Sequence, residues 1–257
     1  MDESQQGGAG EQPGAAQTSL TARLLNVFVA PGEVFAEIKD RAVDPANWLA
    51  STVISIIAGI IFTMVVFSQP AIIQGMKDTQ EKALQERVSS GKMTQQQADA
   101  ATAASESFMA PTFLKSVGII GVIFATFVWL FLVALFLWLV GRFAMGGQAG
   151  FMKMTEVSGM ALMISALGAI VAMTLAVIYG NIAMTPSLIL VVGHFDPHNR
   201  VHAVLAAVNV MNLWYAAVLS IGLGQTTGKG FCRASVWIFG LWALWEVAKI
   251  MVFVHPQ

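Results

Sequence analysis

Long uncharged apolar runs alternate with shorter polar stretches along the chain. Residues 48–68 carry no charge, and that run stops just before Pro70. Residues 117–140 form a second run between Lys115 and Arg142; 157–179, 201–223 and 236–254 form three more. Each is close to the roughly 20 residues a helix needs to cross about 30 Å of hydrocarbon. Backbone groups in lipid must pair within their own segment, so these runs predict helices. The uncharged stretch 157–195 is too long for one crossing, and Gly180, Asn181 and Pro186 interrupt it. Its remainder is too short to cross alone, so residues 182–195 are expected to be re-entrant or interfacial rather than a sixth span.

The polar segments have their own periodicity. In residues 20–41, Leu20, Leu24 and Phe28 share one helical side, and after Pro31 so do Val34, Phe35 and Ile38. Two short amphipathic helices follow, lying either at the inner interface or packed beneath a bundle. Residues 71–108 predict a helical hairpin. Its first helix runs from Ile72 to Val88, Ser89, Ser90 and Gly91 break it, and Thr94 with Gln97 makes a capping box for a second helix reaching about Phe108. Residues 1–19 are polar, Gly-rich and acidic, which suits a disordered tail. They lack the basic start and apolar run of a signal peptide. The expected division is therefore tail (1–19), cytoplasmic amphipathic segment (20–47) and five-span membrane domain (48–257), with 69–115 as an extracytoplasmic insertion.

Composition supports an all-α polytopic membrane bundle. Apolar residues make up 56% of the chain and charged residues 11%, too few charges to cover a water-soluble domain. Ten of the charged residues lie in 1–47, ten in 69–115 and nine in the last 142 residues. The short loops set the orientation. With the N-terminus inside, five spans leave Arg23, Lys39, Arg41, Arg142, Lys153, Lys229 and Arg233 inside, against Arg200 outside once the hairpin is set apart. This predicts a cytoplasmic N-terminus and an extracytoplasmic C-terminus in a bacterial inner membrane. A net charge of −1 argues against nucleic acid as a partner, and a single cysteine, Cys232, rules out an intrachain disulfide.

Candidate chemistry is sparse. Glu246 falls near the middle of the run 236–254, and Lys249 follows at i+3 on the same helical side. A charge at that depth faces a bundle interior or a cavity. The pair reads as an internal ion pair, or as a proton or ion relay joined by Asn209 and Asn212. The histidines are His194, His198, His202 and His255. His198 and His202 are four apart, a spacing that lets two imidazoles share a metal, with Asp196 or His194 as a third ligand. Satisfaction of interfacial polar groups is the simpler reading. Glu156 suits the positive end of the third span and is given no catalytic role. The loop from Gly222 to Gly230 has a phosphate-loop look but fails on spacing, with Leu223 and Gly230 at decisive positions. No nucleotide and no cofactor are expected. Ala161, Ser165 and Ala169 form a small-residue stripe suited to close helix packing within the bundle.

Three patches, taken in order, resemble the Yip family, the Rab-interacting integral membrane proteins and their bacterial relatives. The first is the opening segment with Pro31, Val34, Phe35 and Ile38 ahead of Trp48. The second is Gly146 and Gly147 with Gln148, Ala149 and Phe151. The third is Trp214 with its neighbours, then Gly222, Gly228 and Lys229. The hairpin text SSGKMTQQQADAA is similar to an insertion in bacterial members. The resemblance implies five spans and a cytoplasmic N-terminus; in eukaryotic relatives it implies binding of Rab-type GTPases. With no nucleophile–base pair and no spaced metal motif, the chain reads as a non-enzymatic scaffold or membrane-organising factor. Its partners would be the bilayer and a membrane protein or a second copy. The alternative is a small transporter or channel using Glu246 and Lys249. A scaffold is expected to lose partner capture when residues 34–38 are made polar.

Overall fold

The computed structural model describes residues 18–192 and 199–253, except the side chains of 252 and 253. Every named element is helical. Two short helices, α1 (Leu20–Val29) and α2 (Pro31–Ile38), precede α3 (Pro45–Val66). The hairpin is α4 (Pro70–Ser89) and α5 (Gln95–Glu106). Then come α6 (Pro111–Leu139), which ends in a π-helical turn Val140–Ala144, and α7 (Phe151–Tyr179). A 3-10 turn at Leu188–Val191 and the short α8 (Arg200–Ala207) lead to α9 (Val210–Thr227) and α10 (Phe231–Phe253). The end of the bundle where α3, α7 and α10 begin is called proximal, and the opposite end distal.

Among the described residues, four helices are long and apolar enough to cross a membrane: Pro45–Val66, Pro111–Ala144, Phe151–Tyr179 and the α10 stretch Phe231–Met251. The fourth expected run, 201–223, is not one helix. It breaks at Val208–Asn209 into α8 and α9. The break is stabilised by the segment before it: Val210 N–H donates to the Pro186 carbonyl at 2.9 Å, and Leu188 N–H to that of Val208 at 3.3 Å. Asn209 then caps α9 by accepting from the Met211 and Asn212 amides. At 18 residues α9 spans about 27 Å. Its apolarity is diluted by Asn212, Gln225 and the threonines after it, which a helix with a deeply buried inner face tolerates. Ala216, Val218, Leu219, Ser220, Gly222, Leu223 and Gly224 are all buried. Residues 182–192 form irregular backbone folded against the α8–α9 break, with Met184 and Ile189 buried.

The core is built on α7. Its packing against α3 is close enough that a Cβ on Gly159 would collide with the backbone and Cβ of Trp48. Ser55 donates to the Leu162 carbonyl at 2.9 Å across this seam, and Ser158 donates to that of Leu130 on α6 at 3.2 Å. Small residues and interhelical hydrogen bonds are what lipid leaves available for association. The seam uses Gly159 and Leu162; of the expected stripe, Ala161 is buried but Ser165 is exposed. The outward faces of α6 and α10 are apolar, with Ile120, Phe124, Val236 and Met251 each about 70% exposed, as lipid contact requires.

α1 and α2 are clamped against the bundle rather than lying free beside it. Leu24, Val27, Val34, Phe35 and Ile38 are buried in the same core as Met160, Ala216 and Leu223. Arg23 reaches Asp44, the N-cap of α3, at 3.3 Å, while the Phe28 ring meets Trp214 of α9 edge-on at 5.9 Å. Burial of Val34, Phe35 and Ile38 means that making them polar would damage the fold itself rather than a docking surface. The exposed side of α1 is apolar too, with Leu25 60% and Val29 81% exposed.

The hairpin forms as the polar pattern implies. Thr94 accepts from the Gln97 amide and Gln97 accepts from that of Thr94, closing the capping box. Ile72 is buried against Val66 and Ala176, so the first turn of α4 seats the hairpin on the distal ends of α3 and α7.

Candidate functional site

The densest polar constellation lies at the proximal end. Lys153, in the first turn of α7, places Nζ 2.5 Å from Glu156 Oε2 and 2.8 Å from the Ile38 carbonyl that closes α2. The other oxygen of Glu156 accepts from Asn47 Nδ2 at 2.5 Å and from the Asp44 amide at 3.3 Å. Glu156 and Asn47 are fully buried and Lys153 nearly so. Four elements converge here: α7 supplies the ion pair, α2 a carbonyl, α3 an amide side chain, and the α2–α3 loop an N–H. Arg23 adds α1 through Asp44. Removing either member of such a pair strands the other charge in a dry site. Sequence reasoning placed Lys153 and Glu156 separately and missed their pairing. The i+3 spacing was the available signal; the distant partners Ile38 and Asn47 were not.

Next to this network a cleft of about 690 Å³ opens at the proximal end. Its walls come from three chain segments: Lys39 and Arg41 after α2, Gly146, Gln148 and Gly150 before α7, and Lys229 after α9. Gly146 and Gly147 of the second family-like patch meet Gly228 of the third here. Gly146 and Gly228 adopt left-handed φ of 66° and 67°, and a Cβ at either would meet nothing within 4 Å. Gly147 is different: its N–H donates to the Gly141 carbonyl at 2.7 Å, and a Cβ there would press on Thr227. Gly147 thus closes the π-helical end of α6 onto α9. Arg142 donates to Gln148 Oε1 at 2.8 Å, and Arg41 pairs with Glu37 at 3.0 Å. Among the described residues Lys229 has no ion-pair partner. Pro31 opens α2 at its first position, and Phe35 lies against Gly222, where a Cβ would come within 3.2 Å of the ring.

The intramembrane candidates are placed elsewhere. Glu246 is buried and meets Lys249 Nζ at 2.8 Å, while the Lys249 side chain is 41% exposed. Because α10 begins at Phe231, Glu246 sits in the second half of the helix, nearer its distal end than the run 236–254 implied. Asn209 is occupied with capping and Asn212 is exposed; among the described residues neither bonds to Glu246. His202 is buried on α8. His194, Asp196, His198 and His255 lie outside the described residues, so the metal candidate falls largely there; among the described residues no group of three or more metal-ligating side chains assembles.

Apolar helices of spanning length, small-residue packing and lipid-facing apolar surfaces together define an integral, multi-pass membrane protein. The Yip1 domain model matches residues 25–253, and the chain belongs to that family. No curated protein and no solved structure matches it.

Proposed function

We propose that this protein is a non-enzymatic membrane-organising factor, with five spans, a cytoplasmic proximal end and an extracytoplasmic C-terminus. The observation that carries the reading is the clamped pair α1–α2. It is fixed to α3, α7 and α9, yet turns Leu25 and Val29 outward, as a wedge for one leaflet would. An amphipathic helix held at fixed depth occupies area on one side of the bilayer only. The orientation rests on Arg23, Lys39, Arg41, Arg142, Lys153, Lys229 and Arg233, which all belong to the proximal end. The resemblance of the hairpin text to bacterial members supports a bacterial inner membrane.

Reconstitution tests this. At fixed protein-to-lipid ratio, wild-type protein should shift vesicles toward smaller diameters in electron cryomicroscopy. The Leu25→Glu/Val29→Glu variant should keep its melting temperature and lose the shift; an unchanged shift removes the proposal. The transporter reading is tested in the same vesicles. Glu246 with its partner Lys249, half exposed near the distal interface, has the form of a snorkelling pair. No proton or cation flux is expected, and flux abolished by Glu246→Gln would favour the transporter.

A further inference from the structure

We infer that the proximal cleft is a binding site for the phosphate headgroup of an anionic phospholipid, whose acyl chain lies along α6. This goes beyond the wedge described above and does not depend on it.

Four observations converge. The cleft, about 690 Å³, is lined by Lys39, Arg41 and Lys229 from two separate loops against one carboxylate, Asp40. Lys39 lies 3.8 Å from Asp40 and Arg41 pairs with Glu37, while Lys229 has no ion-pair partner among the described residues. Its floor is glycine, with Gly146, Gly150 and Gly228 leaving open space where side chains would stand. Helix α7 starts beside it with Gly150 as N-cap and no side-chain acceptor for its first amides. Such amides and the helix dipole favour an anion. Finally, an apolar groove of about 430 Å³ begins at Phe151, the residue after Gly150, and follows the α6 face through Leu135, Phe131, Val128 and Phe124. A free phosphate would use the cleft and ignore the groove. A phospholipid accounts for both: charge at the ends of the helices, and an apolar trough along a spanning helix whose Phe151 end is one residue from Gly150 of the cleft. Basic side chains at that depth are placed to meet anionic headgroups.

The chemistry also selects informative variants. Gly150 has φ −75° and ψ 165°, an extended N-cap geometry that aspartate adopts freely. Gly150→Asp therefore supplies the missing cap and holds α7 in place. At the same time it puts a carboxylate where the headgroup phosphate would sit. A purely structural role predicts no loss of lipid from this variant; a headgroup site predicts loss.

The full-length protein, purified in detergent, is titrated with phosphatidylglycerol and with phosphatidylcholine, and bound lipid is counted by native mass spectrometry. Preference for phosphatidylglycerol is expected. It should weaken at least about fivefold in Lys229→Gln and in Gly150→Asp, the effect of losing one basic contact near a membrane surface. The hairpin variant Lys92→Gln should bind as wild type. Folded Lys229→Gln and Gly150→Asp proteins that retain phosphatidylglycerol like wild type would overturn the inference. So would displacement of the lipid by equimolar glycerol 3-phosphate or inorganic phosphate, which would make the cleft a site for soluble anions.

Discussion

At the scale of single residues, Lys153 and Glu156 carry the largest consequence. A charge pair this buried is sensitive to the loss of one partner, by roughly 3–5 kcal/mol. Lys153→Met is expected to lower stability by about that amount, and Glu156→Leu similarly. The double variant should recover much of the loss, because no lone charge remains. Chemical unfolding in mild detergent measures all three and their coupling. Gly159 makes a second residue-level point. Alanine there must displace the Trp48 backbone, a cost of about 1–3 kcal/mol. Gly240 on α10 has open space where a methyl group would stand, with nothing within 4 Å, so Gly240→Ala should be neutral or slightly stabilising. The difference between the two melting temperatures checks the packing.

At the scale of elements, α9 depends on a cap and on a neighbour. Asn209→Ala removes the acceptor for two first-turn amides and should cost about 1 kcal/mol. Thr94→Ala removes an equivalent cap from α5, but the hairpin touches the bundle mainly through the start of α4. Its effect should appear as faster proteolysis or amide exchange within 90–106, with global stability unchanged. These elements also show what the amino-acid pattern could reveal. The capping box at Thr94 and the uncharged runs of α3, α6 and α7 are local signals, readable without the rest of the chain. The start of α9 is not local, because Pro186 and Leu188 supply its backbone partners. Nor is the burial of Phe35 legible: its side of α2 is apolar either way, and only Gly222, far along the chain, shows which surface it meets. The proximal cleft was half visible, through the glycines at 146–147 and 228; Lys39 and Arg41 join it only in three dimensions.

At the scale of the whole molecule, most basic residues outside the 69–115 segment gather at the proximal end, and lipid-facing apolar surface covers the middle. The five crossings proposed above would put the two termini on opposite faces. Reporters fused to each terminus should therefore give opposite signals, one active in the cytoplasm and the other outside it. Identical signals would mean that α9 does not cross, since four crossings return the chain to its starting face. The ambiguity is intrinsic to the sequence. A helix enclosed by its neighbours needs less hydrocarbon-like composition than one bathed in lipid, so α9 looks weak when judged by apolarity alone.

Arg23, Phe28 and Ile38 together moor α1 and α2 to three different helices. Mechanically, this is a yoke. A pull applied at Ser19 is shared as shear between α3, α7 and α9. Whatever is tethered ahead of that point is thereby coupled in force, and not merely in position, to the part of the molecule that sits in the bilayer.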